Sequence, residues 1–160
     1  MRLLLQRVIR AQVTVEERVV GQIGAGLVCL VGIGHGDESP TVQGLADKAV
    51  DLRIFRDDEG KTNRSLIDVA GEVLAISQFT LYADTRKGRR PSFLDAAPPE
   101  LGERLYDEFC AAVQARGVKV ERGIFGAEMK VELVNDGPMT IWLDSAASAA
   151  STVGAASTAG

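Results

Sequence analysis

Val73-Leu74-Ala75-Ile76-Ser77-Gln78-Phe79-Thr80-Leu81-Tyr82-Ala83-Asp84 is the stretch on which the fold turns. Four apolar residues in a row, preceded by Gly71 and Glu72, fit a strand covered on both faces rather than one that alternates between core and solvent. A hydroxyl, a carboxamide and a second hydroxyl follow, and polar groups at the end of a buried strand invite a site. Ser77 and Thr80 can act as nucleophiles or hydrogen-bond donors, and Gln78 both donates and accepts. The backbone amides around Phe79 can be aimed at an oxyanion. The alternative is a strand end whose hydroxyls cap a turn.

Upstream of this strand, residues 2–9, 12–15, 18–23 and 27–33 read as strands of a meander, broken at Glu16-Glu17 and at Gly24-Ala25-Gly26. Ser39-Pro40 places a capping hydroxyl before a proline at the first helical position, and Leu45, Ala49 and Leu52 recur at helical spacing toward Phe55. Asp58-Glu59-Gly60 reads as a turn, and Ser65 to Val69 as a short strand before the central strand at 72–82. Pro98-Pro99-Glu100 opens a second helix, with an apolar stripe of Leu101, Leu105, Phe109 and Val113 that ends at Gly117. Residues 118–122, 128–134 and 139–143 complete the strands. The pattern predicts an α+β fold: a mainly antiparallel, barrel-like sheet with two covering helices, in a single domain over residues 1–144. Residues 145–160, nearly all Ala, Ser, Thr and Gly, lack the apolar bulk to dock and are expected to form a flexible tail.

With 160 residues, 46% of them hydrophobic, the chain can bury one sizeable core. No apolar run approaches the roughly 18 residues of a membrane span, and the short Leu3-Leu4-Leu5 run is not a signal peptide; a cytoplasmic protein without membrane contact is expected. Cys29 and Cys110 sit on apolar stretches and read as buried thiols. The single histidine, His35, lies in a Gly34-His35-Gly36-Asp37 loop and cannot build a histidine-rich metal site, so no metal is expected. With no glycine-rich phosphate loop of recognised spacing either, no cofactor is expected. The net charge is −4, but Arg86, Lys87, Arg89 and Arg90 crowd the six residues Thr85–Arg90, directly after the candidate site. Such a patch is the footprint of nucleic-acid binding, or a solvated loop.

A second segment, Asn135-Asp136-Gly137-Pro138-Met139-Thr140, lies near the end of the chain. Alone, Asp136-Gly137 is a hairpin signal. Together with Ser77 to Leu81 it resembles the D-aminoacyl-tRNA deacylase family, which carries an SQxxL-type motif followed by an NxGPxT-type motif. The resemblance covers residues 1–144, beginning with Met1-Arg2-Leu3-Leu4-Leu5-Gln6-Arg7-Val8 and including Gly123-Ile124-Phe125-Gly126-Ala127-Glu128-Met129. Met139 departs from the smaller residue, often valine, of the family motif.

The resemblance implies hydrolysis of the ester of D-aminoacyl-tRNA, and of glycyl-tRNA, by a homodimer with its active site at the interface. It implies catalytic roles for Ser77, Gln78, Phe79 and Thr80, and substrate contacts from Phe125, Gly126, Ala127, Met129 and Thr140, Phe125 and Met129 holding the terminal adenine. It further implies that a cis Gly137-Pro138 step, fixed by Arg7, enters the partner's site and excludes the L enantiomer, while the terminal 2′-OH of the RNA assists attack. Arg86, Lys87, Arg89 and Arg90 would attract the tRNA; DNA is not an expected partner. An aminoacyl ester is already activated by its α-ammonium group, and no base lies beside Ser77 or Thr80 in sequence, so Thr80 as nucleophile is the second mechanism. Two other functions compete: a non-catalytic module gripping RNA 3′ ends, and a hydrolase of small D-amino-acid esters. A pI of about 5.1 and 5% aromatic residues argue against a pure RNA binder.

Overall fold

The computed structural model describes residues 1–147. Its strands are β1 (Arg2–Val15), β2 (Arg18–Ile23), β3 (Gly26–Gly32), β4 (Phe55–Arg56), β5 (Thr62–Arg64), β6 (Glu72–Ser77), β7 (Val120–Arg122) and β8 (Lys130–Asp144). Helices α1 (Ser39–Asp51) and α2 (Pro99–Ala115) join them, and a 3₁₀ turn spans Phe79–Tyr82. Six strands form one sheet in the order β2-β1-β3-β6-β7, with β8 along the other side of β1.

The sheet is mixed, where the sequence reading expected it to be mainly antiparallel. β1 runs antiparallel to β2, β3 and β8, whereas β3–β6 and β6–β7 are parallel. Helix α1 lies in the connection from β3 to β6, and α2 in that from β6 to β7, so each strand restarts at the same end as its predecessor. The sheet curls until β2 meets β7. An added Cβ on Gly21 of β2 would lie 2.8 Å from the Arg122 carbonyl oxygen of β7, so only a glycine lets the barrel close this tightly.

β6 shows why the Val73–Ile76 run carries no polar face. Val73 and Ala75 pack into the larger core beneath the helices, while Leu74 and Ile76 join Val8, Val13, Ile23 and Val28 in the second, barrel-interior cluster. Fully burying a Val, Leu or Ile side chain stabilises by about 1.5–3 kcal/mol, so a charge at Leu74 would forfeit that and strand itself in the barrel. Helix α1 buries Val42, Leu45, Ala46, Ala49 and Val50, one stripe at helical spacing; α2 buries Leu105, Tyr106, Phe109, Cys110 and Val113. Arg116 clamps the two together, 2.8 Å from Asp47 and 2.7 Å from Asp51.

Several boundaries differ from expectation. Residues 2–9 and 12–15 are one strand, and 130–144 is another that absorbs the Asp136-Gly137 step with irregular register against β1, not a hairpin. Ser65–Asp68 is a turn tied by reciprocal side-chain bonds, Ser65 N–H to Asp68 Oδ2 (2.8 Å) and Asp68 N–H to Ser65 Oγ (3.3 Å); the short hairpin strands are β4 and β5 instead. Glu38 occupies the N-cap of α1, with Ser39 already helical, and the helix stops at Asp51. The central strand stops at Ser77. Ser145, the first residue of the proposed tail, donates its N–H to the Met1 carbonyl (3.0 Å); residues 148–160 of that segment lie outside the described residues. Among the described residues, no helix is long and apolar enough to cross a membrane.

Candidate active site

A cavity of about 590 Å³ opens where β3 and β6 end. One wall is the strand end itself, Ile76, Ser77, Gln78 and Phe79; the opposite wall comes from α2 through Gly102 and Tyr106, and from Phe125, Gly126, Ala127 and Met129 between β7 and β8. Phe93, Ala96 and Ala97 close the rim. Among the described residues the lining is mostly apolar and contains no Asp, Glu, His, Lys or Arg.

The chain is steered into this geometry at Gln78. Its N–H donates to the Val31 carbonyl (2.8 Å), the last ladder-like bond of the strand, and its carbonyl accepts from Leu81 N–H (3.2 Å), which starts the 3₁₀ turn. Its side-chain amide donates to Thr80 Oγ1. Phe79 N–H, at the head of the turn, donates to no group among the described residues, as the first amides of a helical turn cannot. Arg2 braces the turn from outside the cavity: Nη1 donates to the Leu81 carbonyl (3.0 Å), and the guanidinium lies 4.4 Å above the Tyr82 ring.

The far wall is equally determined. Tyr106 donates its hydroxyl to the Ala75 carbonyl (2.9 Å), one residue pair before the site, and burial pushes its phenol pKa up, so it stays a neutral donor. The Phe125 ring sits 6.2 Å from that of Tyr106 and leans on α2 at Gly102, where an added Cβ would come within 3.3 Å of Phe125 Cζ. Cys110, behind Tyr106, is pushed up to about 11, mainly by desolvation, and Cys29 is raised by the same cause; neither is a reactive thiolate. Among the described residues, no group of three or more His, Cys, Asp or Glu side chains is placed to hold a metal ion.

Of the residues singled out in the sequence, Ser77, Gln78, Phe79, Phe125, Gly126, Ala127 and Met129 therefore converge on one cavity, with Thr80 attached through Gln78. Arg7, Gly137, Pro138 and Thr140 do not line it. They form a separate cluster on β1 and β8. Arg7 is 2% exposed; it donates Nε to the Asp136 carbonyl (3.1 Å), pairs with the Asp136 carboxylate (3.0 Å) and donates Nη1 to the Ile54 carbonyl. An added Cβ on Gly137 would meet Arg7 Nη2 at 2.6 Å. Asn135 Nδ2 bonds the carbonyls of Arg7 (2.9 Å) and Met139 (3.0 Å), Gln6 Nε2 reaches Thr140 Oγ1 (3.4 Å), and the Gly137-Pro138 peptide is cis.

In the basic run the four cations are not equivalent. Arg86 turns back onto Asp84, Nε to Oδ1 at 2.8 Å and Nη2 to Oδ2 at 2.7 Å, which holds the Asp84 carboxyl down at about 2. Lys87, Arg89 and Arg90 have no ion-pair partner among the described residues. Sequence reasoning missed Gly102, Tyr106 and Phe93 as walls: Gly102, a glycine inside a helix, was a legible signal, whereas Phe93 lies in irregular chain.

The family model for D-Tyr-tRNA(Tyr) deacylase matches residues 4–144. The chain belongs to that family. It is 60% identical to the D-aminoacyl-tRNA deacylase of Thermomicrobium roseum over 146 residues, covering 91% of this chain and 95% of the relative. To that of Roseiflexus castenholzii it is 58% identical, covering 91% and 93%. A solved structure titled c-Myc DNA Unwinding Element Binding Protein superposes with a TM-score of 0.84 at 37% identity, covering 90% of this chain and 98% of that one. Another, of a probable eukaryotic D-amino acid tRNA deacylase, gives 0.79 at 21% identity and shares the fold. The region matched by the deacylase family model includes both the cavity wall at Ser77–Phe79 and the Asn135–Thr140 cluster.

Proposed function

We propose that this protein hydrolyses the ester bond of D-aminoacyl-tRNA, releasing the free amino acid and tRNA. The observation that carries the reading is the Phe79 N–H at the head of the 3₁₀ turn, which donates to no group among the described residues, in a residue that lines a cavity whose described lining holds no Asp, Glu, His, Lys or Arg. A donor left free in a largely apolar cleft stabilises an oxyanion as it develops, and losing one such donor typically costs about 2.7–4 kcal/mol of barrier. The lack of an Asp, Glu or His in the lining favours attack by water, or water assisted by the neighbouring 2′-OH of the terminal ribose, over a base-activated protein nucleophile. Gln78 orients the ester, and Thr80, held by Gln78, positions substrate or water. Phe125 and Met129 offer an aromatic face and a thioether to the terminal adenine, flanked by Gly126 and Ala127.

Chirality is read, on this proposal, by backbone. The Gly137-Pro138 step, with Arg7 behind it and Thr140 beyond, faces the substrate's Cα from the second subunit of a homodimer. That arrangement is supported by the position of the Asn135–Thr140 cluster outside its own chain's cavity. A backbone wall excludes the L form by clash and ignores the side chain, so many D-amino acids and glycine are accepted. Lys87, Arg89 and Arg90, with Arg86 in a secondary role, draw in the tRNA. The protein then works in the cytoplasm without a cofactor.

The deciding experiment compares D-tyrosyl-tRNA and L-tyrosyl-tRNA side by side with purified protein. The D ester is expected to be cleaved much faster; equal rates would refute chiral discrimination, and absence of turnover with both would refute hydrolysis.

A further inference from the structure

The rim of the cavity carries two aromatic side chains, Phe79 and Phe93, to which the chemistry above, using only the backbone of Phe79, gives no task. Phe79 and Phe93 pack edge to face, ring centroids 5.1 Å apart and planes at 74°, yet Phe79 is 57% exposed and Phe93 36%. An edge-to-face pair occupies only one ring face, so a π-surface is left open. Leu94 beside them is 84% exposed, and its carbonyl is fixed by the His35 ring (Nε2 to O, 2.7 Å).

This rim is rigidly hung. Asp84 and Ser92 exchange backbone hydrogen bonds of 2.7 and 2.9 Å, and Ala97 N–H donates to the Ile33 carbonyl (2.9 Å). The Asp84–Ser92 pair closes a neck from which residues 85–91 project, with the unpaired Lys87, Arg89 and Arg90 at the tip and Phe93 at the base. On a chain of net charge −4, this puts three cations with no ion-pair partner among the described residues in the loop that leads directly into Phe93 at the cavity rim.

We propose that the Phe79–Phe93 pair is a stacking platform for the unpaired nucleobase next to the terminal nucleoside of the RNA 3′ strand, while Lys87, Arg89 and Arg90 hold that strand's phosphates. The proposal rests on the reading of the cavity as the seat of the terminal nucleoside. Aromatic faces beside a cationic track are what sequence-tolerant single-strand binding requires, since every base has a π-face and every linkage a charge. Three cations with no ion-pair partner among the described residues, in the loop next to an aromatic rim, complement a polyanion that also presents flat bases.

The test uses a hairpin RNA without an esterified amino acid, with a four-nucleotide single-stranded 3′ end, intact or abasic at the penultimate position, with affinity read by fluorescence anisotropy. Wild-type protein is expected to bind the abasic RNA about 5- to 150-fold more weakly, the range for loss of one base–aromatic stack. Phe93→Leu should bind intact RNA more weakly and lose most of that discrimination, while Phe93→Tyr, which keeps the ring, should retain it. The salt dependence should be the same in all three, because the cations remain. Equal wild-type affinity for the two RNAs would overturn the platform, as would effects of Phe93→Leu and the abasic lesion that simply multiply. A change in sedimentation of Phe93→Leu with unaltered RNA affinity would overturn it too, assigning the patch to a contact between copies of the chain. Because the probe carries no amino acid, this result stands apart from the D- and L-tyrosyl-tRNA assay: either can fail without the other.

Discussion

Replacing Arg7 by methionine removes a buried cation while keeping an unbranched, apolar side chain of similar reach. The guanidinium is the donor for the Ile54 and Asp136 carbonyls, and its side chain is only 3% exposed. Each of those hydrogen bonds, involving a charged donor, is worth about 1.5–3 kcal/mol. The Asp136 carboxylate is 36% exposed and can take up water, so the ion pair itself adds no more than about 1 kcal/mol. Retained packing by methionine offsets part of the loss, and the net expectation is about 3–5 kcal/mol of destabilisation. For a domain of this size that lowers Tm by about 6–20 °C. Urea unfolding at fixed protein concentration measures it directly, as a shift in midpoint at constant m-value. Arg7→Lys should fall between the two, because one ammonium cannot serve carbonyls on two sides as a planar fork does. A loss below 1 kcal/mol for Arg7→Met, or a lysine variant as stable as wild type, would show that Arg7 does not hold the β1–β8 cluster together.

Gly102→Leu should keep α2 helical by circular dichroism yet lower kcat/KM on D-aminoacyl-tRNA by about tenfold or more, since a side chain there enters the space beside Phe125; unchanged kinetics would remove Gly102 from the wall. Thr80→Ala should reduce turnover without abolishing it, and intact-mass spectrometry of wild type quenched in turnover should show no acyl adduct; a Thr80 ester would establish covalent catalysis. Asp84 has a depressed pKa, so its pairing with Arg86 is fully present above the ordinary carboxylate pKa and is lost as pH falls through about 2. Its carboxyl resonance should therefore titrate near pH 2, and a midpoint near 4 would mean that Arg86 is free in solution.

The buried strand, both helices and the location of the cavity were legible because each has a local signature: a four-residue apolar run, two 3.6-period stripes, and hydroxyls where the run ends. Strand direction has no such signature. The continuous apolar run of β6 marks a strand buried on both faces, as parallel strands are, but it does not fix the direction of its neighbours; that lies in the two helical crossovers that return the chain to the same end. The same limit explains Asp136-Gly137, whose turn chemistry is genuine but is overruled by continued pairing of β8 with β1. Tyr106 reads as one more member of the α2 core stripe; that its ring also forms a wall depends on Phe125, nineteen residues later, folding back against it. Arg86 counts as one of four cations in sequence, but a turn brings Asp84 under it and leaves three.

The parallel pairing of β3 and β6 has a consequence for how this molecule can change. Both strands run out of partners at the same level, so the chain beyond Gly32 and beyond Ser77 is released from the ladder side by side. Substitutions in those released segments, or in the loop hung between Asp84 and Ser92, alter what the cavity grips without unstitching a single inter-strand bond below. The barrel is thus insulated from its own mouth, and selection for a different acyl group or a different RNA end can act on the connections while the strands beneath keep their sequence.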